Sequence, residues 1–157
     1  MQNLFYPKNL SIVGASKDSS KLGHIIAKNI LESGYKGKLF LVNPKEKEIL
    51  EKEVFNQISA LPENLEVAIL VIPAKFILES LKELANKNLK YAIIISAGFK
   101  ESGNLELEEE LIKFSQISGI KIIGPNCLGV LNLDSKNPLS YNGSFGFLPK
   151  NRGRTAL

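Results

Sequence analysis

Residues 67–99 read VAILVIPAKFILESLKELANKNLKYAIIISAGF, and this stretch decides the fold. It holds two short, almost unbroken apolar runs, Val67–Ile72 and Tyr91–Ile95, with a helix-sized segment between them. Runs of that length without polar alternation suit central strands of a parallel sheet covered on both faces. Between them Ile77, Leu81, Leu84 and Ala85 recur at helical spacing, and the stripe stops near Asn88. The spacing predicts one amphipathic helix. Strand, helix and strand in about thirty residues form the crossover unit of an α/β fold.

Working outward, the alternation repeats. Further β-rich runs lie at Leu10–Val13, Lys38–Val42 and Lys121–Ile123. Leu22, Ile26 and Ile30 share one helical face, with Gly34 as the stop. Leu107, Leu111, Phe114 and Ile117 mark a third stripe, from an N-cap at Asn104 to Gly119. Glu106 and Glu108 sit early in that helix, where the dipole favours acids, and read as a solvated face. The segment Glu46–Leu61 predicts one helical turn and a stub strand. Val130–Leu133 reads as a last strand and Asn142-Gly143 as a tight turn. The predicted fold is a Rossmann-like, doubly wound α/β parallel sheet. Numbered along the chain, its five runs are expected in the order 3-2-1-4-5, with right-handed crossovers. Residues 1–133 are expected to form this domain. Residues 134–157 are expected to be an irregular segment leading toward a further domain, with Gly153–Leu157 resembling the entry into another strand.

Bulk properties narrow the function. A chain of 157 residues, 44% hydrophobic and 23% charged, supports one packed domain. Its net charge of +4 and pI of about 9.1 come from lysines dispersed among acids. That pattern reads as a solvated surface able to steer a polyanionic small ligand, and no nucleic-acid partner is expected. Cys127 is the only cysteine, so neither an internal disulfide nor a metal cluster is expected. The N-terminus lacks a signal-peptide pattern and the apolar runs are too short to span a bilayer; the expected setting is the cytoplasm, away from membranes.

The chemistry is expected at the carboxyl ends of the strands, where open parallel sheets bind ligands. All five exits carry turn-forming or polar groups: Gly14-Ala15-Ser16, Asn43-Pro44-Lys45, Pro73-Ala74-Lys75, Ser96-Ala97-Gly98-Phe99 and Gly124-Pro125-Asn126-Cys127-Leu128-Gly129. The first runs on to Gly23 before a helix, a setting in which backbone N–H groups meet an anion, although the spacing is not GxGxxG. At the second exit a NAD-binding fold places an acid; Lys45 suits instead a ribose bearing a phosphate, as in coenzyme A or NADP. A solvated loop lysine is the competing reading. Cys127 reads as packed and His24, the only histidine, as a helix-face residue; no residue is expected to be catalytic.

Taken together, Ile12-Val-Gly-Ala-Ser16, Val42-Asn-Pro-Lys45, Val71-Ile-Pro-Ala-Lys-Phe76, Ile95-Ser-Ala-Gly-Phe99 and Ile123-Gly-Pro-Asn-Cys-Leu-Gly129 carry a resemblance. The chain resembles the N-terminal coenzyme-A-binding domain of NDP-forming acyl-CoA synthetases, relatives of the succinyl-CoA synthetase alpha subunit. The resemblance implies the reversible conversion of acyl-CoA, ADP and phosphate to carboxylic acid, CoA and ATP, through an acyl phosphate and a phosphohistidine. It puts Gly14, Ser16 and Lys17 at the nucleotide phosphates and Lys45 near the ribose phosphate. Pro73, Ala74 and Phe76 flank the cofactor. Ser96 and Ala97 follow the pantetheine arm, with Asn126 and Cys127 near its thiol, and Ala15, Asn43, Pro44, Ile72 and Gly98 are expected among the cofactor-binding residues as well. The phosphohistidine belongs to the following domain, which His24 does not match. The chain alone is therefore expected to be inactive, with a downstream ligase domain and an ATP-grasp-type module as partners. A non-catalytic CoA sensor, as in domains fused to protein acetyltransferases, and an NADP-binding domain are the alternatives.

Overall fold

The computed structural model describes residues 2–132 and 134–146. A short helix, α1 (Gln2–Phe5), precedes β1 (Asn9–Val13), α2 (Leu22–Glu32) and β2 (Lys38–Val42). Two short strands come next, β3 (Glu48–Ile49) and β4 (Lys52–Phe55), then β5 (Val67–Leu70), α3 (Ile77–Ala85) and β6 (Tyr91–Ile94). The last elements are α4 (Leu105–Ser118), β7 (Lys121–Ile123), β8 (Gly129–Leu131) and β9 (Asn142–Ser144).

Seven strands pair in the order β3-β4-β2-β1-β5-β6-β7, all parallel except β3 against β4. The Rossmann-like α/β architecture is as expected, but the order of the five runs is 2-1-3-4-5. The stub strand β4 makes the difference. Its Val54 and Phe55 pair with Leu41 and Val42, so the place outside β2 is taken and β5 pairs with β1 instead.

Side chains alternate across the sheet and fill a core on each face. Val13, Val42, Ala68, Leu70, Ala92 and Ile94 meet Ile77, Leu81 and Leu84 of α3 and Leu111 of α4. Leu10, Ile12, Leu41, Ile69 and Ile93 meet Ile26 and Ile30 of α2, Tyr35 and Tyr141. With both faces covered, all four residues of β5 are buried, which explains its unbroken apolar sequence.

The helix ends obey their residues. Gly34 and Gly119 adopt left-handed backbone just beyond α2 and α4, and the Asn104 side chain accepts from Leu107 N–H as the N-cap of α4. Ile117, however, is 87% exposed and lies outside the stripe. At 3.6 residues per turn it falls roughly 80° from Leu107, whereas Leu111 and Phe114 stay close to it. A helix covering an edge strand buries only that narrow line.

Two further corrections concern the C-terminal part. Asn142-Gly143 is no turn: both residues belong to β9, which pairs antiparallel with β8 in a separate two-stranded sheet. A Cβ on Gly143 would lie 2.5 Å from the Tyr141 ring and 2.9 Å from Ile69, so the glycine permits close packing. The segment after residue 133, expected to be irregular, thus supplies a strand and the fully buried Tyr141. The Tyr141 hydroxyl donates to Leu4 O at 2.9 Å, and burial pushes the phenol far above its usual range. Residue 133 and the reading of Gly153–Leu157 as a strand entry lie outside the described residues.

Candidate functional site at the strand exits

Registers Val13↔Val42, Val13↔Leu70, Leu70↔Ile94 and Ile93↔Ile123 bring the five exits to one edge. Their spatial order is Asn43–Lys45, Gly14–Lys17, Ile72–Phe76, Ser96–Gly98 and Asn126–Cys127. The sheet changes direction of winding between β1 and β5, the position where such folds open a ligand crevice.

At that point the backbone is packed as tightly as it can be. Gly14 has φ +94°, and a Cβ on it would lie 2.3 Å from Val71 O. A Cβ on Gly23, in the first turn of α2, would lie 2.0 Å from Gly14 O. Only glycine at both positions lets the helix N-terminus seat against the loop. Gly14 and Ala15 donate their N–H groups to Val42 O at 3.0 and 3.2 Å, and Ala15 is buried. These two amides therefore shape the loop, leaving those of Ser16 and Lys17 without a partner among the described residues. Asp18 organises the turn into α2: its carboxylate accepts from the hydroxyl and N–H of Ser20, which hold it below the usual carboxylate range. His24 is more than a helix-face residue, since its Nδ1 lies 3.0 Å from Ser16 O.

Asn43 ties the first two exits together. Its Nδ2 donates to Ala15 O at 2.7 Å, and its Oδ1 accepts from Lys45 N–H at 2.8 Å. The amide is thus spent inside the protein, and it presents Pro44 and Lys45 as exposed residues. Beyond them a groove of about 440 Å³ lies between the second and third exits. Val13, Val42, Pro44, Ile72, Pro73 and Phe76 form its apolar walls. Asn56, Gln57, Glu79 and Glu83 add polar groups there. Sequence reading missed these four; the helical offset of Glu79 and Glu83, four residues apart beyond the Pro73 exit, is the one available signal. Lys75 Nζ sits 4.9 Å over the half-exposed Phe76 ring.

The far exits are held by tethers. Ser96 Oγ donates to Ile72 O at 2.5 Å, and Ser96 O accepts from Asn126 N–H at 3.0 Å. Gly98, at φ +108°, passes so near the third exit that a Cβ would lie 3.1 Å from the Ala74 methyl; Ala97 beside it is exposed. Asn126 takes left-handed backbone and is exposed. Cys127 Sγ points to Ile94 O at 3.4 Å, and burial raises its thiol above the usual range. Such a thiol is a packed group, not an activated nucleophile.

Every expected site residue therefore lies on this one edge. Chemically, the edge offers an apolar slot with amide and acidic groups at one end, lysines beside it, and a narrow glycine-lined path toward Asn126. Among the described residues no cluster could hold a metal ion, and no helix is long and apolar enough to cross a membrane.

Comparison with known proteins gives this arrangement a lineage. The family described as "CoA binding domain" matches residues 8–132. The acetate–CoA ligase (ADP-forming) I of Archaeoglobus fulgidus is 38% identical over 159 residues, taking in 100% of this chain and 22% of the relative. The alpha subunit of acetate–CoA ligase (ADP-forming) I from Pyrococcus furiosus is 36% identical, over 93% of this chain and 32% of its own length. Among solved structures, acetyl-coenzyme A synthetase 1 of Ca. Korarchaeum cryptofilum, in complex with phosphate and ADP, superposes with a TM-score of 0.86. It shares 36% identity over 96% of this chain and 31% of its own. The chain thus spans about a fifth to a third of the length of these relatives.

Proposed function

The chain belongs to the CoA-binding domain family, and on that premise we propose that it lays coenzyme A across its carboxyl edge as part of an ADP-forming acyl-CoA ligase. The observation that carries the reading is the continuity of that edge, five stitched exits with an apolar groove at one end and a cysteine at the other. A cofactor with a nucleotide head and a long, thin thiol-tipped arm needs a site of that shape.

In this reading the groove walled by Val42, Pro44, Ile72, Pro73 and Phe76 takes the adenine ring. Lys45 pairs with the ribose phosphate, and the Ser16 and Lys17 amides with the start of α2 face the pyrophosphate. Ser96, Ala97 and Gly98 guide the pantetheine toward Asn126 and Cys127. The chain's work is to bind and orient: it fixes the CoA sulfur where the acyl group is exchanged and leaves phosphoryl transfer to other modules. The full reaction, acyl-CoA with ADP and phosphate to acid, CoA and ATP, needs a downstream ligase domain that carries the phosphohistidine. It needs an ATP-grasp-type module as well, and the setting is cytoplasmic.

Calorimetry against CoA, NADP and NAD tests the proposal. CoA is expected to bind and both dinucleotides to fail; tight NADP binding without CoA binding overturns it.

A further inference from the structure

Glu101 stands three residues beyond Gly98, and its Oε1 accepts from Gly98 N–H at 2.6 Å and Phe99 N–H at 3.2 Å. The next amide, Lys100 N–H, donates to Glu108 Oε2 at 3.1 Å. Three successive backbone donors at the fourth exit are thereby turned onto two carboxylates. We propose that Glu101 is a positioning residue for the ligand, clamping the Gly98 and Phe99 amides so that Ala97 and Gly98 keep the path the pantetheine arm takes. This role rests on the chain binding CoA along that edge.

The argument is one of degrees of freedom. On one side, Ser96 is pinned by its bonds to Ile72 O and Asn126 N–H. On the other, the Phe99 side chain is fully buried in the core. Between these fixed points lie only Ala97 and Gly98, and a glycine has the widest backbone choice of any residue. Among the described residues, Glu101 is the one side chain that hydrogen-bonds Gly98. A carboxylate accepting two N–H groups holds them more firmly than a neutral acceptor does. The bond from Gly98 in turn keeps Glu101 below the usual carboxylate range, so the clamp is charged at neutral pH. Gly98 also runs beside the third exit, where a Cβ on it would lie 3.1 Å from the Ala74 methyl, so its backbone position sets the spacing of the two exits.

The test compares CoA with adenosine 3′,5′-bisphosphate, which has the nucleotide end and no arm, on the 157-residue chain by calorimetry. Glu101→Ala is expected to weaken CoA about tenfold while leaving the bisphosphate within about twofold. Glu101→Gln, which keeps an acceptor oxygen without the charge, is expected to restore part of the loss. An unchanged CoA affinity in Glu101→Ala overturns the assignment. So does an equal loss for both ligands, since that would make Glu101 a general stabiliser of the edge. If the unmodified chain binds neither ligand, the CoA reading itself falls and the inference with it.

Discussion

The first and fourth exits on this edge are built by different means. Around Gly14 and Gly23 the shape comes from backbone in contact with backbone, with no room for a methyl group. Around Ser96 and Gly98 it comes from side-chain tethers, a hydroxyl and a carboxylate. The first exit, proposed for the nucleotide phosphates, thus has no room for added atoms, whereas the fourth, proposed for the arm, is held by bonds that substitution can remove one at a time.

The largest effect is expected where the backbone is tightest. Gly14→Ala puts a Cβ against Val71 O in a left-handed conformation, costing about 2–4 kcal/mol. Melting should fall roughly 5–15 °C. A variant that melts normally would mean that the first exit is as adjustable as the fourth. Next comes Lys45→Ala, expected to weaken CoA about tenfold yet scarcely to affect dephospho-CoA, which lacks the ribose phosphate. Equal losses for both would leave Lys45 as a solvated loop residue. Ser96→Ala should cost about 1 kcal/mol of stability and roughly threefold in CoA affinity. Binding of adenosine 3′,5′-bisphosphate should stay unchanged; if it suffers as much as CoA, the two exits are not separable.

The smallest expected effect is a rate. Because burial raises the Cys127 thiol, its alkylation by iodoacetamide in the folded chain should go on accelerating at a pH where a free thiol, with pKa about 8.5, has levelled off. The sign comes from the thiolate being the reactive form, scarce until pH exceeds the raised value. Levelling off at or below about pH 8 would show an activated cysteine and reopen its role.

Much of this was legible in the sequence wherever local pattern and tertiary role agree. The runs of β5 and β6 are unbroken because both faces are buried, and the exits are punctuated by Gly and Pro because chains turn there. Strand order was not legible. It hinges on β4, four residues reading Lys-Glu-Val-Phe at Lys52–Phe55, too short and polar to weigh beside the apolar runs. Nor was β9, since Asn142-Gly143-Ser144 has the composition of a turn and becomes a strand only under Tyr141. At the strand exits, residue type showed which groups share one edge but not the hydrogen bonds each makes. Asn43, expected at the cofactor, also gives its amide to the neighbouring loop, and Glu101, which holds two backbone amides, has the look of one more surface acid in the sequence.

The bonds from Tyr141 to Leu4, from Asn132 to Phe5 and from Tyr6 to Asp134 join the start of the chain to a segment some 130 residues later. Synthesis runs in one direction, so α1 emerges from the ribosome long before the residues that fasten it. At the usual pace of translation that interval is on the order of ten seconds. The sheet is complete only at β7, about twenty residues before Tyr141, so the face carrying Ile69 and Ile93 lacks that ring for only the last few seconds of the interval. A chain that pairs its strands as they emerge would spend that short window with α2 and Tyr35 on this face but without Tyr141, and any chaperone demand it creates should end when Tyr141 arrives.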